Sequence, residues 1–162
     1  MDLRQHCIDL LRERGVTIDD LADCAVFLQK AYFPELTHQD MIESVMDVLG
    51  KREVQYTIMT GIAIDEAADS GAIKDPVLSK MLLEDEGLYG VDEVLAYSIC
   101  NVYGSIALTN FGYIDKTKYG IVGKLNAKKE DGSYPGNSNT FLDDIAGAIA
   151  ASAAARYAHS KK

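Results

Sequence analysis

Apolar residues recur at helical spacing along almost the whole chain. Leu3, Cys7, Ile8, Leu10 and Leu11 form one stripe, and Gly15 supplies the residue after a helix end that most easily turns left-handed. Thr17 opens a second helix, with Asp20 three residues on as the carboxylate of a capping-box variant. Leu21, Cys24, Ala25 and Leu28 carry its apolar face, and Pro34 stops it. Thr37 caps a third helix, with Met41, Ile42, Val45, Met46 and Leu49 inward. A fourth runs from about Glu53 to Ser70 and ends at Gly71. Asp75-Pro76 pairs an N-cap with a proline at the first helical position, which predicts a short helix over 76–85.

An acidic turn over 84–93, with Gly87 and Gly90, leads into an uncharged stretch from Val94 to Ile114. That stretch reaches transmembrane length, but Ser98, Asn101, Ser105, Thr109 and Asn110 interrupt it. A straight helix from Glu93 to Asp115 would hold their carboxylates about 33 Å apart. A break near Asn101 to Ser105 returns the chain on itself, so a buried hairpin is the expectation. Residues 127–139 read as a loop, and an Ala-rich helix over about 140–159 is placed at the centre because small side chains allow close approach. Period-two alternation never lasts, so the predicted class is all-α, one domain over 1–162.

Charge and cysteine content narrow the picture. Sixteen Lys and Arg against twenty-five Asp and Glu give a net charge of −9, which excludes a basic nucleic-acid footprint. Cys7, Cys24 and Cys100 show no paired spacing, which fits a reducing compartment. The N-terminus has no apolar signal region, so a cytoplasmic protein is expected.

Carboxylates adjoin apolar sequence at Asp65-Glu66, Asp92-Glu93, Asp115 and Asp143-Asp144. A carboxylate against a core is costly unless paired or bound to metal. Hard cations such as Mg²⁺ take oxygen ligands, so acids from several helix ends can build a Mg²⁺ site. Local readings compete. Asp143 follows Thr140 by three residues, the spacing of a capping box. Asp92, Glu93 and Asp144 sit in first turns, which favour negative charge. Asp143 and Asp144 project about 100° apart, which leaves open whether both face one ion. Asp115 falls near a helix C-terminus, where a compensating cation is required: Lys116, Lys118 or a metal. Asp65-Glu66 with Asp69 reads as an exposed face. Lys116, Lys118, Lys124, Lys128 and Lys129 form a basic cluster suited to a phosphate or an anionic lipid head group, or else a solvated loop. P-loop, G-x-S-x-G and cysteine-phosphatase motifs are absent. Asp19-Asp20-Leu21-Ala22-Asp23 matches a DDxxD pattern but falls in a capped first turn, and the chain is short for that fold.

Three blocks then carry a resemblance: Val91-Asp92-Glu93-Val94, Tyr113-Ile114-Asp115-Lys116-Thr117-Lys118 and Phe141-Leu142-Asp143-Asp144-Ile145-Ala146-Gly147. In this order they resemble the phosphatidylglycerophosphatase A family. Lys51-Arg52-Glu53-Val54-Gln55 and Asp85-Glu86-Gly87-Leu88-Tyr89-Gly90 extend the likeness toward its soluble, Bacillus-type branch. The resemblance implies two helical hairpins packed crosswise, over 51–162, with residues 1–50 as an N-terminal extension. Those first helices could support the core, cover apolar surface that lipid covers in membrane relatives, or bind a partner; the covering role is favoured because it would explain solubility with the same core. It implies a Mg²⁺-dependent phosphatase converting phosphatidylglycerophosphate to phosphatidylglycerol and phosphate, peripheral at the inner membrane face. Asp92, Glu93, Asp115, Asp143 and Asp144 would hold metal, with Lys116 and Lys118 on the phosphate. Glu93, Asp115 and Lys118 would act in catalysis, Glu93 taking the proton of the attacking water. A soluble phosphomonoester, a nucleotide pyrophosphohydrolase activity and a non-catalytic partner-binding module are the alternatives. The Ala-rich helix over 140–159 could equally pack against a second subunit in a homo-oligomer, and the sequence leaves this open.

Overall fold

The computed structural model describes residues 1–127 and 136–161. The described residues form nine helices and no strand. They are α1 (Leu3–Glu13), α2 (Ile18–Gln29), α3 (His38–Val48), α4 (Arg52–Asp69), α5 (Pro76–Glu84), α6 (Val91–Cys100), α7 (Ser105–Thr117), α8 (Ile121–Asn126) and α9 (Leu142–Ser160).

Local capping chemistry sets most boundaries. Thr17 accepts from the Asp20 N–H at 3.1 Å, and Asp20 accepts from the Thr17 N–H at 3.0 Å, closing the capping box. Thr37 and Asp40 repeat it at α3. Asp75 accepts from the N–H groups of Val77 and Leu78, with Pro76 where no N–H is needed. Gly15 and Gly71 take positive φ just past α1 and α4. The uncharged stretch is a hairpin of α6 and α7, broken at 101–104, where Gly104 has φ +86°. No helix among the described residues is long and apolar enough to cross a membrane.

α9 is the centre of the molecule. Residues 142–155 are all buried, and α2, α3, α4, α6, α7 and α8 pack against it. A helix enclosed on every side needs no polar face. Its alanines and Gly147 let neighbours close in: the ideal Cβ position at Gly147 lies 3.4 Å from Ile114 Cγ2. Cys24 and Ala25 of α2 and Val45 of α3 belong to the same core as Phe111, Phe141 and Ile145, so the first fifty residues share the core that supports α9.

Two local readings are corrected, and one helix is added. Asp65 is not on an exposed face; it is 1% exposed and accepts from the N–H groups of Phe141 and Leu142 at 3.0 Å. Thr140 does not form a capping box with Asp143. Its hydroxyl donates to the Leu82 carbonyl at 2.6 Å, and α9 has no cap from its own N-cap side chain. The short helix α8 has no strong periodic signal and follows Gly120 at φ +59°. Of the loop expected over 127–139, residues 128–135 lie outside the described residues, as do Lys128 and Lys129.

Candidate metal centre

Three helix ends converge. Asp92 and Glu93 occupy the first turn of α6, entered through Gly90 at φ +72°. Asp115 lies in the last turn of α7, and Asp143 and Asp144 in the first turn of α9. The α9 end is held from outside itself. Asp65 of α4 binds its first N–H groups, Asp69 accepts from the Ser138 N–H at 3.0 Å, and Arg14 donates to the Ser138 carbonyl at 2.5 Å. Asn139 donates its amide to the Leu125 carbonyl at 3.1 Å. The turn carrying Asp143 and Asp144 is therefore fixed by α4, α8 and the residue after α1.

The acids meet in a cleft of about 160 Å³ lined by Asp85, Glu86, Gly87, Asp92, Glu93, Asp115, Lys118, Asn126, Asp143 and Asp144. Seven carboxylates there face one ammonium. A larger depression of about 480 Å³, around Gln29, Phe33 and Asn110, has neither carboxylate nor cation in its lining. One oxygen from each of Asp115, Asp143 and Asp144 lies within 4.8 Å of the others. The 100° between successive helical positions therefore does not keep Asp143 and Asp144 from a common point. Opposite ligands on a Mg²⁺ ion sit about 4.2 Å apart, so a small closure brings these oxygens to coordination distance.

Electrostatics favour the same occupant. Burial, then the charge of Asp143 and a hydrogen bond to Asp92, push the Asp144 carboxyl up to about 11. Burial, then the charge of Asp85, raises Asp143 well above the carboxylate range. Glu93 is raised by burial and by Asp115. A cation entering the cleft would favour the ionised form of these acids. The donor set, all hard oxygen, fits a divalent ion of the Mg²⁺ type.

Lys118 is the cation that the C-terminal position of Asp115 requires. It caps α7 at φ +53°, and this turn carries Nζ back to 2.8 Å from Asp115 Oδ1 and 3.7 Å from Asp143 Oδ2. Burial lowers its pKa, but the hydrogen bond to Asp115 and the charges of Asp143, Asp115 and Asp144 outweigh this, so the net shift is upward. Lys118 stays charged.

A family model described as Phosphatidylglycerophosphatase A matches residues 11–159. The chain belongs to the phosphatidylglycerophosphatase A family. Membership in that family points to a phosphatase. The chain is 52% identical over 149 residues to the uncharacterized protein YutG of Bacillus subtilis (strain 168), covering 92% of this chain and 86% of that protein. It is 45% identical over 152 residues to the uncharacterized protein YpjQ of the same organism, covering 94% of this chain and 82% of that protein. A solved structure of the low temperature requirement C protein from Listeria monocytogenes aligns with a TM-score of 0.91 at 52% identity, over 99% of this chain and 98% of that one. A solved protein of unknown function from Bacillus stearothermophilus aligns equally well, with a TM-score of 0.91 at 51% identity, over 100% and 97%.

In this phosphatidylglycerophosphatase A member, Asp92, Glu93, Asp115, Asp143, Asp144 and Lys118 all reach the cleft. Lys116 does not; it is exposed and outside the cleft lining, and Lys124 is exposed as well. The expectation that Lys116 binds substrate loses its geometric basis, because the α7 turn that brings Lys118 inward leaves Lys116 on the outer face. Asp85, Glu86 and Asn126 line the cleft without having been singled out as ligands. Asp85-Glu86-Gly87 carried a signal in the acidic turn. Asn126 had none, because its place depends on α8.

Proposed function

We propose that this chain is a Mg²⁺-dependent phosphatase acting on a phosphomonoester, and that its substrate is phosphatidylglycerophosphate. The observation that carries the reading is the meeting of Asp115, Asp143 and Asp144 beside Lys118 in a member of the phosphatidylglycerophosphatase A family. Asp92, Asp115, Asp143 and Asp144 would hold the ion, with Glu93 at the half-exposed edge of the same cleft. Bound Mg²⁺ supplies charge neutralisation at the phosphoryl oxygens and orientation of the attacking water. Lys118 places a permanent positive charge where the phosphoryl group develops negative charge. Glu93, at the edge of the cleft beside the acids that would hold the ion, takes the proton of the water. The phosphorus–oxygen ester bond breaks, the water oxygen stays on phosphate, and the lipid oxygen leaves as the alcohol by taking up the proton that Glu93 received. Leu88, Val91 and Val94 are exposed beside Gly87, Asp92 and Glu93, which suits a head group presented from a lipid surface at the inner membrane face.

The test is phosphate release from detergent-dispersed phosphatidylglycerophosphate, with Mg²⁺ and with chelator, beside Asp144→Asn and a soluble arm with glycerol 3-phosphate. The reading predicts release that requires Mg²⁺ and falls at least about 100-fold in Asp144→Asn. Release from glycerol 3-phosphate alone would overturn the lipid substrate. Release undiminished by chelator or by Asp144→Asn would overturn the metal mechanism.

A further inference from the structure

A second charged pocket lies away from the acidic cleft. It has a volume of about 410 Å³ and is lined by Arg4, Asp47, Gly50, Lys51, Tyr103 and Arg156. Arg4 comes from α1, Asp47 from the end of α3, Gly50 and Lys51 from the α3–α4 junction, Tyr103 from the α6–α7 turn, and Arg156 from α9. Arg156 follows Asp144 by twelve residues on one helix, about 18 Å along its axis. Three cations thus face one carboxylate in a chain whose net charge is −9.

These cations are not used up by the protein. Arg156 pairs with Asp47 through Nη2 and donates from Nη1 to Ser44 Oγ at a long 3.5 Å; the ion pair is 39% and 51% exposed, and an exposed pair contributes little. Arg4 donates from Nη1 to the Met46 carbonyl at a long 3.4 Å, one of a guanidinium's five donors. Lys51 forms no ion pair among the described residues and is exposed.

Two independent features point to an anion. The eighteen-residue helix α4 begins at this pocket with Lys51 as its N-cap, and no side chain caps its first N–H groups. Tyr103 has a buried hydroxyl with no hydrogen-bond partner among the described residues. A phenol is a donor at neutral pH; burial raises the Tyr103 pKa further, to about 12, with Asp47 and Glu53 adding to the shift and Arg156 opposing it. Glu53 is not among the lining residues.

We propose that this pocket binds a phosphate-type dianion carried by a water-soluble molecule. Three cations less one carboxylate leave a surplus of two positive charges, the charge of a phosphomonoester dianion. Arg4 keeps most of its guanidinium donors, and the exposed Arg156–Asp47 pair can exchange Asp47 for a phosphate oxygen. The volume falls within the range of small-molecule sites, leaving room for an organic group beside the phosphate. None of this depends on the acidic cleft.

The experiment is calorimetric titration of chelator-treated full-length protein with inorganic phosphate and with glycerol 2-phosphate. Lys51→Gln, Arg156→Gln and Asp144→Asn are run alongside. Vesicles containing phosphatidic acid form a sedimentation arm. Saturable binding to the wild type is expected, weakened about tenfold or more by Lys51→Gln and by Arg156→Gln, and unchanged in Asp144→Asn. Lys51 is exposed, so its variant decides the matter even where Arg156→Gln perturbs the fold. Absence of saturable binding, binding unaltered by Lys51→Gln, or loss in Asp144→Asn would each overturn the proposal. Binding to vesicles without binding to either soluble anion would overturn it as well, assigning the pocket to a lipid surface.

Discussion

Asp65 carries a carboxyl 1% exposed, with the first N–H groups of α9 as its partners. Nothing near it in sequence announces this. Asp65-Glu66-x-x-Asp69 has the look of a solvent face, and Glu66 is indeed exposed. The partner N–H groups lie 76 and 77 residues away, and a cap supplied from another helix leaves no local motif. Asp65→Ala would strand two buried donors. The expected loss is about 1–3 kcal/mol in urea denaturation, with larger loss of activity than a surface variant such as Glu66→Ala. The carboxyl also titrates. Burial pushes it up to about 7 from 3.8, despite the N–H groups of Phe141 and Leu142 and the charge of Arg14. As pH rises, the unfolded chain therefore gives up this proton before the folded one does. The contribution of Asp65 to stability is full below about 3.8 and is lost as pH rises through about 7. Metal-free protein should lose stability across that window, and Asp65→Asn should remove that part of the slope.

Helices whose signals are local are placed correctly from sequence. The boxes at Thr17 and Thr37, the Asp75-Pro76 start and the glycines after α1 and α4 all act within a few residues of the helix they bound. α9 is readable as a helix in need of neighbours on most sides, since its Ala-rich stretch has few polar positions. The sequence leaves open whether those neighbours come from this chain or a second subunit, and residues 142–155 are enclosed within the chain itself. The failures are non-local. Thr140 at capping spacing turns instead to the Leu82 carbonyl, and α8 exists because α9 and the α7 end give its six residues something to pack on. Gly123 in α8 marks the contact that matters for chemistry, since a Cβ there would overlap the Lys118 carbonyl oxygen. Gly123→Ala must shift the left-handed turn that aims Lys118. It should cost about 1–3 kcal/mol in thermal or urea unfolding and lower kcat more than it raises KM.

Across the molecule, helix ends separated by 20 or more residues in sequence deliver their acids to one point. The sequence marks Asp92, Glu93, Asp115, Asp143 and Asp144 as acids beside apolar runs, and all five reach the cleft. Lys118 could be expected from the charge of Asp115 at a helix C-terminus, but its choice over Lys116 depends on a backbone turn. α1–α3 share one hydrophobic core with α9. A cleft with seven carboxylates and one ammonium is a poor arrangement for an empty fold and a good one for a bound cation. The direct measurement is calorimetric titration of the full chain with Mg²⁺, wild type beside Asp144→Asn, with circular dichroism confirming that both are folded. Saturable binding by the wild type, abolished or weakened at least about tenfold in the folded variant, is the predicted result. No binding at millimolar Mg²⁺, or equal binding by wild type and Asp144→Asn, would contradict the account.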